Sequence, residues 1–529
     1  MSLKTVILGL CLAVSLAWAY PGQVLRQFKA PGAFCTTLTF DGQYLWCADA
    51  KTDRLYRVDP ATGRKVGEIP APGFWPTGLA WDGEYLWCAD SKQKKLFQVR
   101  PATGAIVRAI DAPGDHPEGL AWDGVTLWVS DSQAKIISRI DLQDGTAVKS
   151  FPAPASAPQG LAWDGTYLWC ADRLADELHM IDPASGEVII ILKAPGPHTR
   201  GVTFDGNYLW ALDYQTDQIY QLVRQDAEPY RLDNPRTCRV TYTHDVAIHG
   251  SGKLQEMDVY VALPVDLPQQ GILKIDLQPG VTARLKDRWE QPVAHFQYRN
   301  KPSGSRLTSV MAVEARISEI HYFIFPERCG TVADIPADLR ALYTANGSKY
   351  LIDDPYIQEL SRKIVGAETN PYWMARKIFD HVRNTLEYKH EGGWNTAPVV
   401  LQRGTGSCSE YTFSFIALCR AAGIPARYTG GLVVRGDDAS FDDMFHRWPE
   451  VYLPTYGWIP MDPQGGDKPG ARDRALNIGH LPNRFLILTQ GGGDSAWLGW
   501  YYYSWERYIA DAQVRVEIDN FAEWEPLQR

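Results

Sequence analysis

The stretches TFDGQYLWCAD (39–49), AWDGEYLWCAD (80–90), AWDGVTLWVSD (121–131), AWDGTYLWCAD (162–172) and TFDGNYLWALD (203–213) are one motif written five times. Its aspartates Asp41, Asp82, Asp123, Asp164 and Asp205 stand 41 residues apart, and so do Trp46, Trp87, Trp128, Trp169 and Trp210. A period near 40 filled by short strands is what the blades of a β-propeller produce. The Asp-Gly pair lies between two apolar runs, where a tight hairpin turn calls for positive φ. A third strand follows, RLYRVDP (54–60) in the first unit, and after a Pro-Ala-Thr-Gly turn a fourth, KVGEIPAPG (65–73). The fifth unit stops near QIYQLV (218–223) without that fourth strand, and QVLRQFKAPG (23–32) matches the missing piece. The N-terminal strand is therefore expected to complete the last of five blades and leave no open edge. The recurrent Trp is read as packing between blades and the recurrent Asp as capping turns. Cys47, Cys88 and Cys170 share one blade position with Val129 and Ala211, a pattern that suits a buried apolar site rather than a metal site.

The chain has 529 residues, too many for one core, and its ordinary composition is that of a globular protein. A formal charge of −9 with no block of Lys and Arg gives no electrostatic footing for nucleic acid or for an anionic membrane. Lys4, the apolar run from Val6 to Leu16 and Ala17-Trp18-Ala19 have the order of a cleavable signal peptide, so residues 1–19 are expected to be removed and the product secreted or periplasmic. Leu10 before Cys11 lacks the small side chain that a lipid-attachment site needs. No later run approaches the roughly 20 apolar residues that cross a bilayer. An oxidising compartment permits disulfides, and Cys238 and Cys329 bracket a β-rich segment whose ends they could staple. With no CxxC pair and no His-rich cluster, no metal or cofactor is expected.

After the repeats, taken as 20–225, the period is lost. Residues 230–328 hold alternating runs such as RVTYTHDVAI (239–248) and EARISEIHYFIF (314–325), the pattern of an antiparallel β-sandwich. His244, His249, His295 and His321 within it read as surface or hydrogen-bonded residues. From 336 to 529 the pattern turns helical, then β. Asn370 suits an N-cap and Pro371 the first helical position. GTGSCSEYTFSFIALCRAAGIPAR (404–427) follows, with Tyr411, Phe415, Leu418 and Ala422 spaced for one buried face and Gly423 and Pro425 ending the helix.

Cys408 stands at the start of that helix, where unpaired N–H groups and the positive dipole end favour a thiolate. Downstream, MFHRWPEVYL (444–453) puts His446 at the start of a β-patterned run, and GWIPMDP (457–463) puts Asp462 on the next. Two adjacent strands could present imidazole and carboxylate side by side. Such a set divides the work of acyl transfer: thiolate attack, imidazole proton transfer, and a carboxylate that fixes the ring and stabilises the imidazolium.

These segments, GSCSEYTFSFIALCRAAGIPARYTGG (406–431) and HRWPEVYLPTYGWIPMDP (446–463), resemble the transglutaminase-like superfamily, in the expected order and spacing. The resemblance covers about 336 to 510. It implies a papain-like α+β core and a catalytic triad of Cys408, His446 and Asp462. Arg447 departs from the pattern, because many members have a small residue after the histidine. For the oxyanion, the backbone N–H of Cys408 is one donor, and either Gln402 or Trp394 could supply the second, Gln402 being preferred.

The expected protein is thus multidomain: propeller, β-sandwich, transglutaminase-like catalytic domain. The leading function is a cysteine acyl-transfer enzyme acting on peptide or glutamine amides through a thioester on Cys408, protease or amidase ahead of crosslinking. Its partners would be a peptide or protein substrate and, at the propeller, a protein or glycan. Two alternatives stand beside it: a non-catalytic propeller scaffold, and a glutaminyl cyclase activity borne by the propeller, whose Trp-Asp-Gly and Leu-Trp elements look faintly similar to that family.

Overall fold

The computed structural model describes residues 19–390, 394–436 and 439–527. The expected signal segment lies, but for Ala19, outside the described residues. Each 41-residue unit folds as a four-stranded antiparallel sheet. The first is Cys35–Phe40, Leu45–Asp49, Arg54–Val58 and Lys65–Pro70, and three like it follow. In the fifth, Val24–Lys29 pairs with Gln218–Val223 as the outer strand. The leading strands of successive sheets touch, and that of the fifth touches that of the first, so the five sheets close a ring.

The repeated motif explains the repeated sheet. Asp41 accepts from the backbone N–H groups of Gln43 and Tyr44 and, at 2.7 Å, from the indole of Trp46. The same indole bond recurs at Asp82, Asp123, Asp164 and Asp205, over 2.7–3.0 Å. Gly42 and its four counterparts sit at φ between 93° and 101°, which the hairpin requires and a Cβ would strain. The second recurrent aspartate reaches back: Asp49 accepts from Phe34 N–H, and Asp90 from Trp75 N–H.

Two further sheets follow the ring. One runs Gln270–Gln278, Arg306–Tyr322, Tyr230–Gly250, Val514–Pro526, Ser440–Asp442, with His480–Leu481 also pairing Arg306–Tyr322. The other runs Ala283–Lys286, Pro292–Pro302, Lys253–Ala262, Ser504–Ala510. Burial alternates along Arg306–Tyr322, as a strand with one face on a core must. Two of these strands, Ser504–Ala510 and Val514–Pro526, come from the end of the segment assigned by sequence to 336–529. The region between Tyr322 and Ser504 is therefore an excursion out of these sheets that rejoins them at Ser440–Asp442 and His480–Leu481. The two cysteines that could have stapled 230–328 are not joined. Cys238 and Cys329 are both buried and free, with their sulfurs directed to the carbonyls of Ala315 and Phe325 respectively.

The excursion holds helices Pro355–Val365, Pro371–Thr385, Ala397–Arg403 and Cys408–Ala421 beside a sheet ordered Gly457–Pro460, His446–Leu453, Ala426–Val433, Phe485–Gly491. Asn370 caps its helix by accepting from the N–H groups of Tyr372 and Trp373. The helix Cys408–Ala421 departs from the expected single apolar face. It is buried on all sides from Ser409 to Arg420, because helices pack on one flank and the sheet on the other.

Ion pairs join the excursion to the ring. Arg472 grips Glu177 through two bonds of 2.6 and 2.7 Å, and Arg474 and Arg376 both reach Glu187. The short helix Ala471–Ala475 lays its two terminal alanines in an apolar cluster with Val188 and Ile191 of the fourth sheet.

Candidate active site

The helix that Cys408 opens begins where the sequence builds its cap. Ser407 and Glu410 form a capping box, with Glu410 Oε2 accepting from Ser407 N–H at 3.0 Å. Glu410 Oε1 also accepts from Asn395 N–H and from Arg403, so one buried carboxylate fixes the start of the helix against two neighbouring segments. The pattern Ser407-Cys-Ser-Glu410 is legible in the sequence, and the role of Glu410 could have been found there.

His446 opens the strand His446–Leu453, paired with Gly431. Its ring lies nearly parallel to those of Trp448 and Phe485, with centroids 5.6 and 6.0 Å away. Its Nε2 is 2.8 Å from Asp462 Oδ2, which leaves Nδ1 for the side facing Cys408. Asp462 is held in turn: Oδ1 accepts from the N–H groups of Gln464 and Gly465, and its own N–H donates to Asn477 O. At Gly465 a Cβ would lie 2.4 Å from Asn477 Oδ1 and 2.9 Å from Asp462 Oδ2, so a larger residue there would push the Asp462 carboxylate and the Asn477 amide from their places.

Cys408, His446 and Asp462 line one cavity of ≈750 Å³. Burial disfavours the thiolate of Cys408, but the hydrogen bond and charge of His446, then the backbone and guanidinium of Arg447, outweigh it and hold the thiol below its ordinary value. Burial also disfavours the imidazolium of His446. There Asp462, by charge and hydrogen bond, and Cys408 outweigh it, so His446 is raised. Both shifts favour the thiolate–imidazolium pair over the neutral pair.

The two expected oxyanion donors part company. Gln402 is exposed on Ala397–Arg403 and is not among the residues lining the cavity, whereas Trp394 is. Trp394 has φ 36°, an uncommon conformation for a bulky residue, and its carbonyl accepts from Lys349. Tyr502 forms another part of the wall. It fits only because residue 430 is glycine, where a Cβ would lie 2.2 Å from its ring. Among the described residues no helix is long and apolar enough to cross a membrane.

Residues 358–463 match the model of the transglutaminase-like superfamily. A protein of Haemophilus influenzae described as uncharacterized is 28% identical over 156 residues, which are 24% of this chain and 42% of that one. The match thus spans less than half the length of that curated relative. Among solved structures, one described as a "Putative Cysteine Protease" from Cytophaga hutchinsonii is 16% identical, covering 56% of this chain and 100% of that chain at a TM-score of 0.40. The glutaminyl cyclase of Myxococcus xanthus is 15% identical, covering 40% and 99% at a TM-score of 0.36.

Proposed function

From the premise that this chain carries a transglutaminase-like domain, we propose that it is an exported cysteine enzyme that transfers the acyl group of peptide or glutamine amides through a thioester on Cys408. The observation that carries this reading is the convergence of Cys408, His446 and Asp462 on one cavity, with the thiol lowered and the imidazole raised. The thiolate attacks the amide carbon, forming a C–S bond while the carbonyl oxygen takes the negative charge. Collapse breaks the C–N bond, and the departing amine takes the proton from His446. Water then attacks the thioester, its proton passes to His446, and the thiolate leaves. An amine entering in place of water would give crosslinking; hydrolysis is the reading preferred here. Asp462 keeps the ring oriented throughout. The N–H of Cys408 and the indole of Trp394 are the donors available to the oxyanion.

The ring of sheets is read as a five-bladed propeller over 20–225 and the two following sheets as a β-sandwich, the propeller selecting a substrate or partner. Catalysis by the propeller itself finds no support in its recurrent Trp and Asp residues, which are committed to hydrogen bonds within each unit.

The test is mass spectrometry after limiting iodoacetamide at several pH values, with the alkylated cysteine mapped in wild type and His446→Ala. Rapid labelling of Cys408 well below pH 8, slowed in the variant, is expected. Slow labelling indifferent to His446 would sink the enzyme reading.

A further inference from the structure

Arg447 has no solvent exposure and, among the described residues, no carboxylate within ion-pair distance. Four aromatic rings enclose its guanidinium instead, those of Tyr502, Trp394, Tyr428 and Phe413, with centroids 4.4–4.9 Å from Cζ. One nitrogen donates to the carbonyl of Trp500, while Nε and Nη1 find no protein acceptor. A buried cation left without a counter-charge is costly, and ring faces repay only part of that cost. Burial raises the hydroxyls of Tyr428 and Tyr502 above their ordinary range, so the cage itself stays neutral. Among the described residues, no carboxylate offsets this charge.

The cage backs onto the cavity. Trp394 and Tyr502 each touch the guanidinium and also line the space that holds Cys408. The hydroxyl of Thr412 lies 2.8 Å from the carbonyl of Cys408 and 3.2 Å from that of Arg447, tying the helix start to the strand. Other charged and titratable groups around Cys408 are accounted for. His446 and Asp462 form the pair already described, and Glu410 is committed to Ser407, Asn395 and Arg403. Arg435 is paired with Asp442. Tyr388, Tyr502 and Tyr503 present neutral hydroxyls, and His390, Asp443 and His480 stand elsewhere on the cavity wall.

We propose that Arg447 is a positioning residue for the acyl-transfer reaction, a caged cation set behind Cys408 whose missing counter-charge is the thiolate itself. It acts through Cys408 and touches no substrate. It also holds the rings of Trp394 and Tyr502 as fixed walls of the cavity. The proposal rests on the reading of Cys408 as nucleophile, and its test separates the two.

The test follows alkylation of Cys408 by iodoacetamide against pH in the full-length protein, for wild type, Arg447→Met, Arg447→Gln and Arg447→Lys, with thermal melts to monitor folding. The midpoint of labelling is expected to move up by about one pH unit or more in either neutral variant and to stay near wild type in Arg447→Lys. A folded neutral variant with an unmoved midpoint would overturn the proposal. So would failure of both neutral variants to fold while Arg447→Lys folds, since the cation would then serve the fold alone. A wild-type midpoint at the ordinary thiol value would instead remove Cys408 as nucleophile, whatever Arg447 does.

Discussion

Asp462 shows how much one side chain is asked to do. It holds the His446 ring through Nε2, and its charge is what most raises the imidazole against burial. Activity should rise with pH as the lowered thiol of Cys408 ionises, and fall only when pH passes the raised value of His446. Asp462→Asn should therefore lower kcat/KM by about 10³-fold or more and move the alkaline limb of the profile to lower pH, because the neutral amide no longer favours the imidazolium. A pH–rate profile on a peptide or glutamine-amide substrate reads both. That Cys408, His446 and Asp462 meet at one cavity was legible in the sequence, because each stands at or beside the edge of an element whose boundary the sequence marks. That Gln402 lies outside the cavity lining was not legible, because counting six residues back from the cysteine says nothing about which way Ala397–Arg403 faces. Trp394 reaches the cavity instead from the connection that precedes that helix.

Among elements, the repeated sheet was the most legible, since period, turn and strand all fall inside 41 residues. Asp82 illustrates why the motif persists. It accepts from the N–H groups of Glu84 and Tyr85, from the indole of Trp87 and from Gln98. Asp82→Ala would leave the N–H of a buried Trp87 unpaired and should cost about 1–3 kcal/mol. A lowered Tm of the full-length protein, absent in a surface control, is the readout. The pairings of Ser504–Ala510 and Val514–Pro526 with strands far upstream were not legible, because alternation marks a strand without naming its neighbour. Their consequence is that segment 336–529 made alone would keep Val514–Pro526 without Tyr230–Gly250, to which it is paired from Cys238 to Gly250. That segment should be poorly folded by circular dichroism and unlabelled at low pH, whereas 230–529 should fold. A well-folded 336–529 with reactive Cys408 would contradict this.

Across the whole molecule, the ring and the cavity meet at a few charges. The segment after Asp462 carries Arg472 and Arg474 to the fourth sheet and then returns Leu476, Asn477 and His480 to the cavity wall. Burial alone would raise Glu177, but His179 and Arg472 outweigh it and hold it at about 2. Because this folded-state value is depressed, the bridge contributes fully above the ordinary glutamate range and is lost only as pH falls through it towards 2. Replacing both acids, Glu177→Gln with Glu187→Gln, should speed proteolytic cutting between 463 and 480 and reduce kcat/KM by several fold, with Cys408 still labelled. Unchanged proteolysis and activity would show that the ring does not brace the cavity. The strand Val514–Pro526 carries a different meaning when synthesis is considered. It lies between Tyr230–Gly250 and Ser440–Asp442 and is the last of its sheet to be translated. A nascent chain therefore carries Cys408 out of the ribosome before the strand that completes this sheet, and labelling of Cys408 at low pH is expected only once Val514–Pro526 has been made.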